Sequence, residues 1–416
     1  MEVLTTGEKI KRARIYNGLT LKDISSDIIS ISKLSGIENN KIMPEDKIIR
    51  YLSTRLNLAE DYIKEDISNQ LLNNYSKLLK SKKSKDYVED IKYNLYYAID
   101  CEEYSLAFKF MHLLIEYYIN GDKINKAEND LAEYYDLLTK ANSEENNITY
   151  YLDLGTYLYK YEEYGQAVKC FINVKNNVDN KKNCSIYYKA CYYTVMAYFM
   201  LNKESEFIDT IGELESIAAI ENCLECKGEI YSLLAILYYE RSKEKYEKYK
   251  NKAFDYFING FSTITGPINF GMIMMKFKSR EEGLKILTKG YNVYNKDDKK
   301  GFAAFSIKLL SLFINNGLYN EAEKIIEETI NNAIYLNDDY YIEKAYFYKA
   351  IILGEKGDID SKELYMNLSL DSLEKAGSTK DIYDRYLLIG KMYHDSKKYQ
   401  DSINYFNLAL KLKGKL

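Results

Sequence analysis

The stretch Tyr151–Val174 reads YLDLGTYLYKYEEYGQAVKCFINV, and the distant stretch Tyr386–Ala409 reads YLLIGKMYHDSKKYQDSINYFNLA. Both begin with an aromatic residue. At identical intervals there follow an aliphatic residue, Gly, a bulky residue, a small residue, Phe and a last apolar residue. Apolar residues at helical intervals on both sides of a short polar turn predict two amphipathic helices that pack as an antiparallel hairpin.

This spacing is typical of tetratricopeptide repeats, whose hairpins stack because none can bury its apolar face alone. Small residues such as Gly155 and Gly390 are expected where two helix backbones approach closely. Weaker copies of the pattern begin near Ile91, Thr194, Tyr231, Phe270, Leu309 and Phe347. We therefore predict an all-α fold in which residues 88–416 form a right-handed superhelix of tetratricopeptide-like hairpins with a concave inner surface.

The composition favours long helices and a soluble chain. Only 2 of 416 residues are Pro, against about 5% in an average chain, which disfavours all-β sandwiches. Neither Pro44 nor Pro267 closes a repeat, so we expect Gly, Asn and Asp at the hairpin ends. The net charge of −4 means that any contact with nucleic acid is local. The absence of a leader pattern and of an 18-residue apolar stretch predicts a cytoplasmic protein without a membrane partner.

The first sixty residues form a different pattern, a series of short helices separated by capping and turn residues. The predicted helix starts are Thr5 or Thr6, Thr20, Ser30 and Pro44. Gly18 is expected to end the first helix, and the second helix is expected to contain Ile24 and Ile28. Two short helices joined by a tight turn form a helix-turn-helix, whose second helix enters the DNA major groove. We predict a helix-turn-helix DNA-binding domain over residues 1–66.

This segment resembles the Xre/Cro-type DNA-binding domain. The resemblance rests on Gly7–Arg14 (GEKIKRAR), on Ile29–Glu38 (ISISKLSGIE) and on the Leu-Asn-Leu sequence of residues 56–58. In that family an Arg of the first helix pairs with a Glu at the end of the recognition helix. Arg14 and Glu38 match these positions, so the resemblance implies that they brace the domain.

The resemblance also assigns contacts with double-stranded DNA to the third helix and the turn after it. The candidates are Ser32, Lys33 and Ser35 for bases, and Ser30, Asn39, Asn40 and Lys41 for phosphates. Ile31 and Gly36 stand where the family usually has polar or basic contacts, so a degenerate domain kept as a structural or protein-binding module is the alternative. Residues 1–65 carry eleven basic and ten acidic side chains. One domain therefore releases few counterions, and specific binding is expected to need a homodimer.

A basic polar run, SKLLKSKKSK at residues 76–85, follows the first domain. It indicates a solvated linker or helix face, with an additional phosphate-contacting element as the alternative. We predict a linker or helix over residues 67–87.

The first helix of each repeat usually lines the concave surface of such a superhelix. The repeat register puts there Tyr192, Phe199, Asn202, Tyr239, Met272, Met275, Ile307, Asn315, Tyr348 and Lys356. An aromatic and apolar wall with a few amides suits a short peptide. Packing between repeats is the alternative interpretation for each of these residues.

The sequence shows no catalytic or metal-binding constellation. His112 and His394, the only histidines, belong to different repeats, and no phosphate-loop, metalloprotease or hydrolase motif occurs. Cys223 and Cys226 have the spacing of zinc and dithiol sites, but tetrahedral zinc needs two further ligands. We predict no enzymatic activity, no cofactor and no metal, and the redox role of this pair stays open.

A helix-turn-helix followed by tetratricopeptide-like hairpins resembles the RRNPP family of quorum-sensing regulators, which comprises Rap, Rgg, NprR, PlcR and PrgX proteins. The resemblance implies a transcriptional regulator that a short signalling peptide switches by binding the concave face. As the alternative, it implies a protein-interaction regulator whose repeats hold a response regulator or phosphorelay component, as Rap proteins do.

Overall fold

The structure is a computed structural model that describes residues 2–80, 86–121, 124–179, 183–219, 224–259 and 264–413. Within these ranges every regular element is a helix, so the predicted all-α class is confirmed. The chain divides into two compact units, Met1–Phe207 and Ile208–Leu416, which are described separately below.

The first unit begins with five short helices, which we call the head (residues 2–66). They are α1 (Thr6–Tyr16), α2 (Leu21–Ile24), α3 (Ile31–Glu38), α4 (Asp46–Leu56) and α5 (Glu60–Lys64). The predicted starts at Thr5 and Thr20 are confirmed, and each residue forms a capping box with the acidic residue three positions later. Gly18 follows α1 in the left-handed conformation, as expected.

The prediction for the second helix was wrong at its end. α2 stops at Ile24, and Ile28 lies outside the helix and is exposed, while its neighbour Ile29 is buried. Ser26 and Ile29 exchange backbone hydrogen bonds in both directions, which closes a tight turn instead of continuing the helix. This turn places the side chain of Ile29 inward, and α3 begins after its N-cap Ser30, as predicted.

The rest of the first unit consists of longer helices. They are α6 (Ile67–Lys80), α7 (Tyr87–Asp100), α8 (Tyr104–Asn120), α9 (Ile124–Lys140), α10 (Glu144–Lys160), α11 (Tyr164–Asn177), α12 (Cys184–Met200) and α13 (Glu204–Asp209), the last of which includes the boundary between the units. Leu71 and Leu78 of α6 are fully buried in one cluster with Ile91 of α7. The segment predicted as linker or helix is thus helical over 67–80 and has a buried face; residues 81–85 of the basic run lie outside the described ranges.

The second unit continues the same design. Its helices are α14 (Ile211–Ala219), α15 (Leu224–Tyr238), α16 (Lys243–Ile258), α17 (Gly266–Phe277), α18 (Arg280–Val293), α19 (Lys299–Asn315), α20 (Tyr319–Leu336), α21 (Asp339–Glu355), α22 (Ile359–Ala376), α23 (Thr379–Asp395) and α24 (Tyr399–Lys413). Sequential helices pack as hairpins, and alternate helices also touch, as α15 touches α17 and α19 touches α21.

In the described ranges, six hairpins share one three-residue turn. Its middle residue has a positive φ, and the residue after it donates a backbone hydrogen bond to the carbonyl five positions earlier, which is a Schellman closure. The middle residues are Glu102, Glu162, Asn202, Gly317, Gly357 and Lys397. The expectation of Gly, Asn and Asp was therefore incomplete, because Glu and Lys occupy this left-handed position in three hairpins. The hydrogen bonds and the packing of the helices on either side hold it there.

The close helix approaches predicted at the two best repeats are confirmed. A Cβ atom on Gly155 would lie 2.6 Å from the ring of Phe171, and one on Gly390 would lie 2.8 Å from the ring of Phe406. Gly228 has the same relation to Phe257 in an intermediate repeat. In each case the aromatic ring of the second helix rests directly on the backbone of the first.

Tyrosine has a further structural use in the second unit. In three places a Tyr hydroxyl donates to a Glu carboxylate, and a Lys pairs with that carboxylate while its ammonium group lies over the Tyr ring. These Tyr–Glu–Lys triads are Tyr246–Glu282–Lys250, Tyr291–Glu328–Lys296 and Tyr393–Glu363–Lys398. The first joins α16 to α18 and the second joins α18 to α20, so the triads connect successive hairpins.

Candidate nucleic-acid and peptide interfaces

Helix α3, the predicted recognition helix, is fixed to the rest of the head by a buried ion pair. Arg14 Nε donates to Glu38 Oε1 at 2.6 Å, and Arg14 Nη2 donates to Glu38 Oε2 at 2.8 Å. The third guanidinium nitrogen, Nη1, donates to the carbonyl of Leu19 at 2.9 Å. The hydrogen bond to Glu38 raises the pKa of Arg14 above its ordinary value, although burial opposes it. The predicted brace is confirmed, and it sets the orientation of α3 relative to α1.

A buried lysine fixes the opposite side of α1. Lys9 is only 1% exposed, and its ammonium group donates to the carbonyls of Tyr62 at 2.8 Å and Glu65 at 2.6 Å. Burial lowers the pKa of Lys9, and the nearby acidic groups Glu65 and Asp66 partly offset this. This role could not be predicted from the sequence, since a Lys on a short helix is expected to face solvent.

The serines and the lysine proposed for α3 have different environments. Ser30 is the N-cap of α3 and accepts a hydrogen bond from the backbone N–H of Lys33. Ser32 is exposed and Ser35 is half-buried. The ammonium group of Lys33 donates to Glu45 at 2.9 Å, so a phosphate or a base would compete with that carboxylate.

The residues after α3 are tied into the head in part. Asn39 donates from its side chain to the carbonyl of Ser35 at 2.8 Å. Asn40 has a φ of 57° and joins α3 to α1, because its amide accepts from Gly7 N–H at 3.1 Å and donates to Thr5 at 2.8 Å. Lys41 is exposed. Of the four proposed phosphate contacts, Ser30, Asn39 and Asn40 therefore already make structural hydrogen bonds, and Lys41 does not appear in them.

Apolar side chains surround α3 on the outside. Ile28, Ile31 and Ile42 are each about two-fifths exposed, and Met43 is 82% exposed. Ile42 rests on Gly36, where an added Cβ atom would lie 2.6 Å from its terminal methyl group. The two departures from the family pattern thus produce a partly apolar surface around the recognition helix.

The N-terminal residues connect the head to the following helices. The backbone of Leu4 makes a paired contact with the Gln70 amide of α6, donating at 3.0 Å and accepting at 2.9 Å. Val3 is buried, and its N–H donates to the hydroxyl of Tyr93 on α7 at 3.3 Å. The sequence did not indicate this connection, because the contacts join residues 66 and 90 positions apart.

Three of the predicted peptide-binding residues lie in the first unit. Tyr192 on α12 is half-buried and packs against Tyr188 and Tyr193. Phe199 is 4% exposed, so packing within the repeats, the alternative left open by the sequence, describes it better. Asn202 lies outside the helix, at the left-handed position of the α12–α13 turn.

The other seven lie in the second unit. Ile307 is buried in a core cluster, which Met275 and Tyr348 border as partly buried side chains. Met272 and Asn315 are exposed. Tyr239 packs edge-on against Tyr246, and Lys356, in the α21–α22 turn, pairs with Glu323. The exposed or half-buried members that remain available to a ligand are Tyr239, Met272, Met275, Asn315, Tyr348 and Lys356.

Two buried polar clusters were not indicated by the sequence. Asp153 on α10 accepts from Tyr134 at 2.7 Å and lies 2.6 Å from His112 Nδ1. Burial, and then the charge of Asp153, raise the pKa of Tyr134 well above its ordinary value. In the second unit Arg385 and Glu343 pair at 2.6 Å between α23 and α21. Both clusters hold neighbouring helices together.

We also searched the described residues for a metal site, a cysteine pair and a membrane-spanning helix. No group of three or more His, Cys, Asp or Glu side chains there could hold a metal ion. Cys223 and the side chain of Cys226 lie outside what the structure describes. No helix in the described ranges is long and apolar enough to cross a membrane.

Comparison with known proteins gives matches in structure only, since neither a family model nor a curated protein matches the sequence. PlcR of Bacillus thuringiensis, solved with the peptide PapR7 and DNA, is 16% identical with a TM-score of 0.34, over 61% of this chain and 94% of PlcR. Apo NprR of B. thuringiensis is 14% identical with a TM-score of 0.38, over 84% and 100%. Aspartyl phosphate phosphatase F of Bacillus subtilis is 16% identical with a TM-score of 0.34, over 99% and 96%.

Within the RRNPP family, a specific likeness to the RstA-type regulators of sporulation and toxin genes finds no support among these structures. At such identities and TM-scores the likeness concerns the arrangement of helices and carries no statement about ligands. PlcR and NprR, two of the solved structures to which this chain is similar, belong to the RRNPP group that the sequence resembles.

Proposed function

We propose that this protein is a cytoplasmic transcriptional regulator that binds promoter DNA through the head and responds to a short peptide. The observation that carries the proposal is the way in which α3 is held by the head and exposed to solvent. The Arg14–Glu38 pair holds the helix from its inner side, while Ser32 and Lys41 stay open to solvent. A helix that enters a major groove must be held by its domain on one side and be exposed to solvent on the other.

The domain organisation belongs to the same proposal. Residues 1–66 form the DNA-binding domain, 67–87 the connecting helix, and 88–416 the peptide-binding and dimerisation domain. A peptide on the inner face would act by population shift, because it must bind one arrangement of the repeats more tightly than another to switch anything. The bonds from Val3 and Leu4 to α7 and α6 give a physical path by which helix movements reach the head.

DNA binding is tested with the full chain and fragments from the upstream region of its own gene. We expect a sequence preference that persists at moderate salt, measured by fluorescence anisotropy over a salt series. Ser32→Leu should abolish the preference, and Lys41→Glu should weaken binding to all fragments. Lys243→Glu, an exposed Lys on α16, is the control that should change neither. Binding that is equal for all fragments would contradict the proposal.

Peptide switching is tested with synthetic peptides from short secreted open reading frames beside the gene. A cognate peptide should change the affinity for the preferred DNA fragment, and Tyr348→Ala should reduce the response without changing the affinity of the peptide-free protein. An affinity that stays the same at saturating peptide would refute the switching mechanism.

A second candidate function is regulation by protein contact, in which the repeats hold a response regulator or phosphorelay component. The exposed apolar side chains Ile28, Ile31, Ile42 and Met43 around α3 favour it, since such side chains do not bind a phosphate backbone and fit a head that no longer reads DNA. The salt series separates the two functions, because a head that has lost DNA reading shows no sequence preference.

A further inference from the structure

Helix α3 exposes few polar groups that could distinguish one base pair from another. It contains no Arg, Asn or Gln, and its single Lys, Lys33, is paired with Glu45 at 2.9 Å. Bidentate hydrogen bonds from Arg or Lys identify guanine, and those from Asn or Gln identify adenine, whereas Ser hydrogen-bonds to more than one base. Ser32 is exposed and Ser35 is half-buried. Hydrogen bonds from these two serines alone therefore give α3 little preference for one sequence.

Two aliphatic side chains lie before and after Ser32 on the outward side of α3. Ile31 is the first residue of the helix and is 46% exposed. Gly36 lies four positions after Ser32, one turn further along the same side. Ile42, which is 41% exposed, rests on Gly36, where an added Cβ atom would lie 2.6 Å from its terminal methyl group. Ile42 thus covers the place from which a side chain at position 36 would project.

The major groove of DNA offers one group that suits such a surface. Among the base edges there, only thymine presents an apolar group, its C5 methyl, whereas cytosine presents an amino group. An amino group held against an aliphatic side chain loses its hydrogen bonds to water without replacement. The N-terminal residues of a recognition helix are those that reach the base edges, and Ile31 has that position in α3.

We propose that Ile31 and Ile42 select thymine in each half-site by contact with its C5 methyl group. The role of these two residues rests on the proposed DNA-binding function and names the base that the head recognises. It accounts for both departures from the Xre/Cro-type pattern, because Ile31 supplies one methyl contact and Gly36 makes room for the side chain that supplies the other.

The test uses the full chain and its preferred DNA fragment, whose half-sites are mapped by footprinting. Deoxyuridine replaces the thymidines of the half-sites, because uracil keeps every hydrogen-bonding group of thymine and lacks only the methyl group. Fluorescence anisotropy should show at least about fourfold weaker binding of the uracil form, the effect of one lost methyl contact. The control fragment carries deoxyuridine only outside the half-sites and should bind as tightly as the original.

The same measurement on variants assigns the effect to residues. Ile31→Ala should reduce the ratio of the affinities for the thymine and uracil forms, and Ile31→Ala/Ile42→Ala should bring this ratio to one. Ile334→Ala is the matched control, because Ile334 on α20 is 50% exposed, and it should keep the wild-type ratio.

The possible failures of this test are distinguishable. Equal affinity of wild type for the two forms, with the sequence preference intact, would overturn the selection of thymine and leave the proposed function standing. A wild-type ratio in the double variant would overturn the role of Ile31 and Ile42. Equal binding to fragments of every sequence would contradict the proposed function and, with it, the selection of thymine.

Discussion

The head and the repeats hold their helices together by different means. In the head the core is small, and it includes two charged side chains that are almost completely buried, Lys9 and Glu38. Both are paired by short hydrogen bonds to a neighbouring helix or loop. In the repeats the closest helix contacts are made by shape, with a Gly backbone against an aromatic ring, as at Gly155 and Phe171.

The difference follows from size. A domain of about sixty residues buries a smaller share of its surface than a larger one, so directional bonds must fix the angles between its helices. A stack of hairpins has apolar contacts on both sides of every repeat, so complementary shapes set the closest contacts, and buried pairs such as Arg385–Glu343 add to them. The stability of the head should therefore depend most on individual polar groups. The stability of the repeats should depend most on small changes in side-chain volume.

The largest effect is expected for Arg14→Ala. This change leaves the buried carboxylate of Glu38 without its partner, which costs about 3–5 kcal/mol for a buried pair. The hydrogen-exchange protection of α3 amides, measured by mass spectrometry, should fall at least about a hundredfold while that of α23 stays unchanged.

The control for this prediction is Arg12→Ala, which breaks the exposed pair with Glu2. Exposed pairs contribute about 0–1 kcal/mol, so protection of α3 should barely change. Equal effects of the two substitutions would show that the Arg14–Glu38 pair does not hold α3.

Glu282→Gln tests whether the repeats also depend on polar groups. Burial would raise the pKa of Glu282, but hydrogen bonds from Tyr246 and Lys250 outweigh it and hold that pKa below its ordinary value of 4.5. A carboxylate with a lowered folded-state pKa stabilises the fold above its unfolded-state pKa, and this stability is lost as the pH falls through the folded-state value. Neutralising it should cost about 1.5–3 kcal/mol at pH 7.

The measurement is the thermal midpoint at pH 7 and at pH 3. The thermal midpoints of wild type and Glu282→Gln should differ less at pH 3 than at pH 7, because the stability that the charged carboxylate contributes falls as the pH drops below its unfolded-state pKa. Glu281→Gln is the matched control, because Glu281 is exposed and pairs only with Lys285 on the same helix. A gap that is the same at both pH values would rule out the charge as the cause.

Gly155→Ala should cost about 1–3 kcal/mol, because the added methyl group overlaps the ring of Phe171 in a packed core. Gly165→Ala is the control on the next helix. Nothing lies within 4 Å of its added Cβ atom, so the higher helix propensity of Ala should stabilise it slightly. Urea unfolding of both variants checks the signs, and a Gly155→Ala protein as stable as wild type would mean that the overlap is relieved without cost.

The smallest effect is expected for Lys397→Gly in the α23–α24 turn. Lys397 has a φ of 60°, a conformation that costs a residue with a Cβ atom about 1 kcal/mol or more. Relief of this strain should stabilise the hairpin by up to about 1 kcal/mol, while Gly317→Ala, at the same position of another hairpin, should destabilise it by a similar amount. Thermal midpoints of the two variants should move in opposite directions.

A sequence-based prediction succeeded or failed according to how far apart along the chain the interacting residues lie. The helix caps at Thr5 and Thr20 follow from residues three positions apart, and the sequence shows them directly. The end of α2 was missed because a turn between Ser26 and Ile29 competes with the helix over only a few residues. At the candidate interfaces, the spacing of residues along the chain could not show which side chains are exposed, and the structure does. Ile307 shares the repeat register of Asn315, yet the first is buried and the second is exposed.

The sequence by itself determined the all-α class and the repeat period, because each depends on intervals along the helices. The Arg14–Glu38 brace was implied only by the resemblance to the Xre/Cro-type domain. Only the tertiary structure decided that Lys9 is buried and that Val3 and Leu4 bind α7 and α6. These features join residues far apart in the chain or depend on which side of a helix remains uncovered. Local patterns carry neither kind of information, since both arise only when the helices pack.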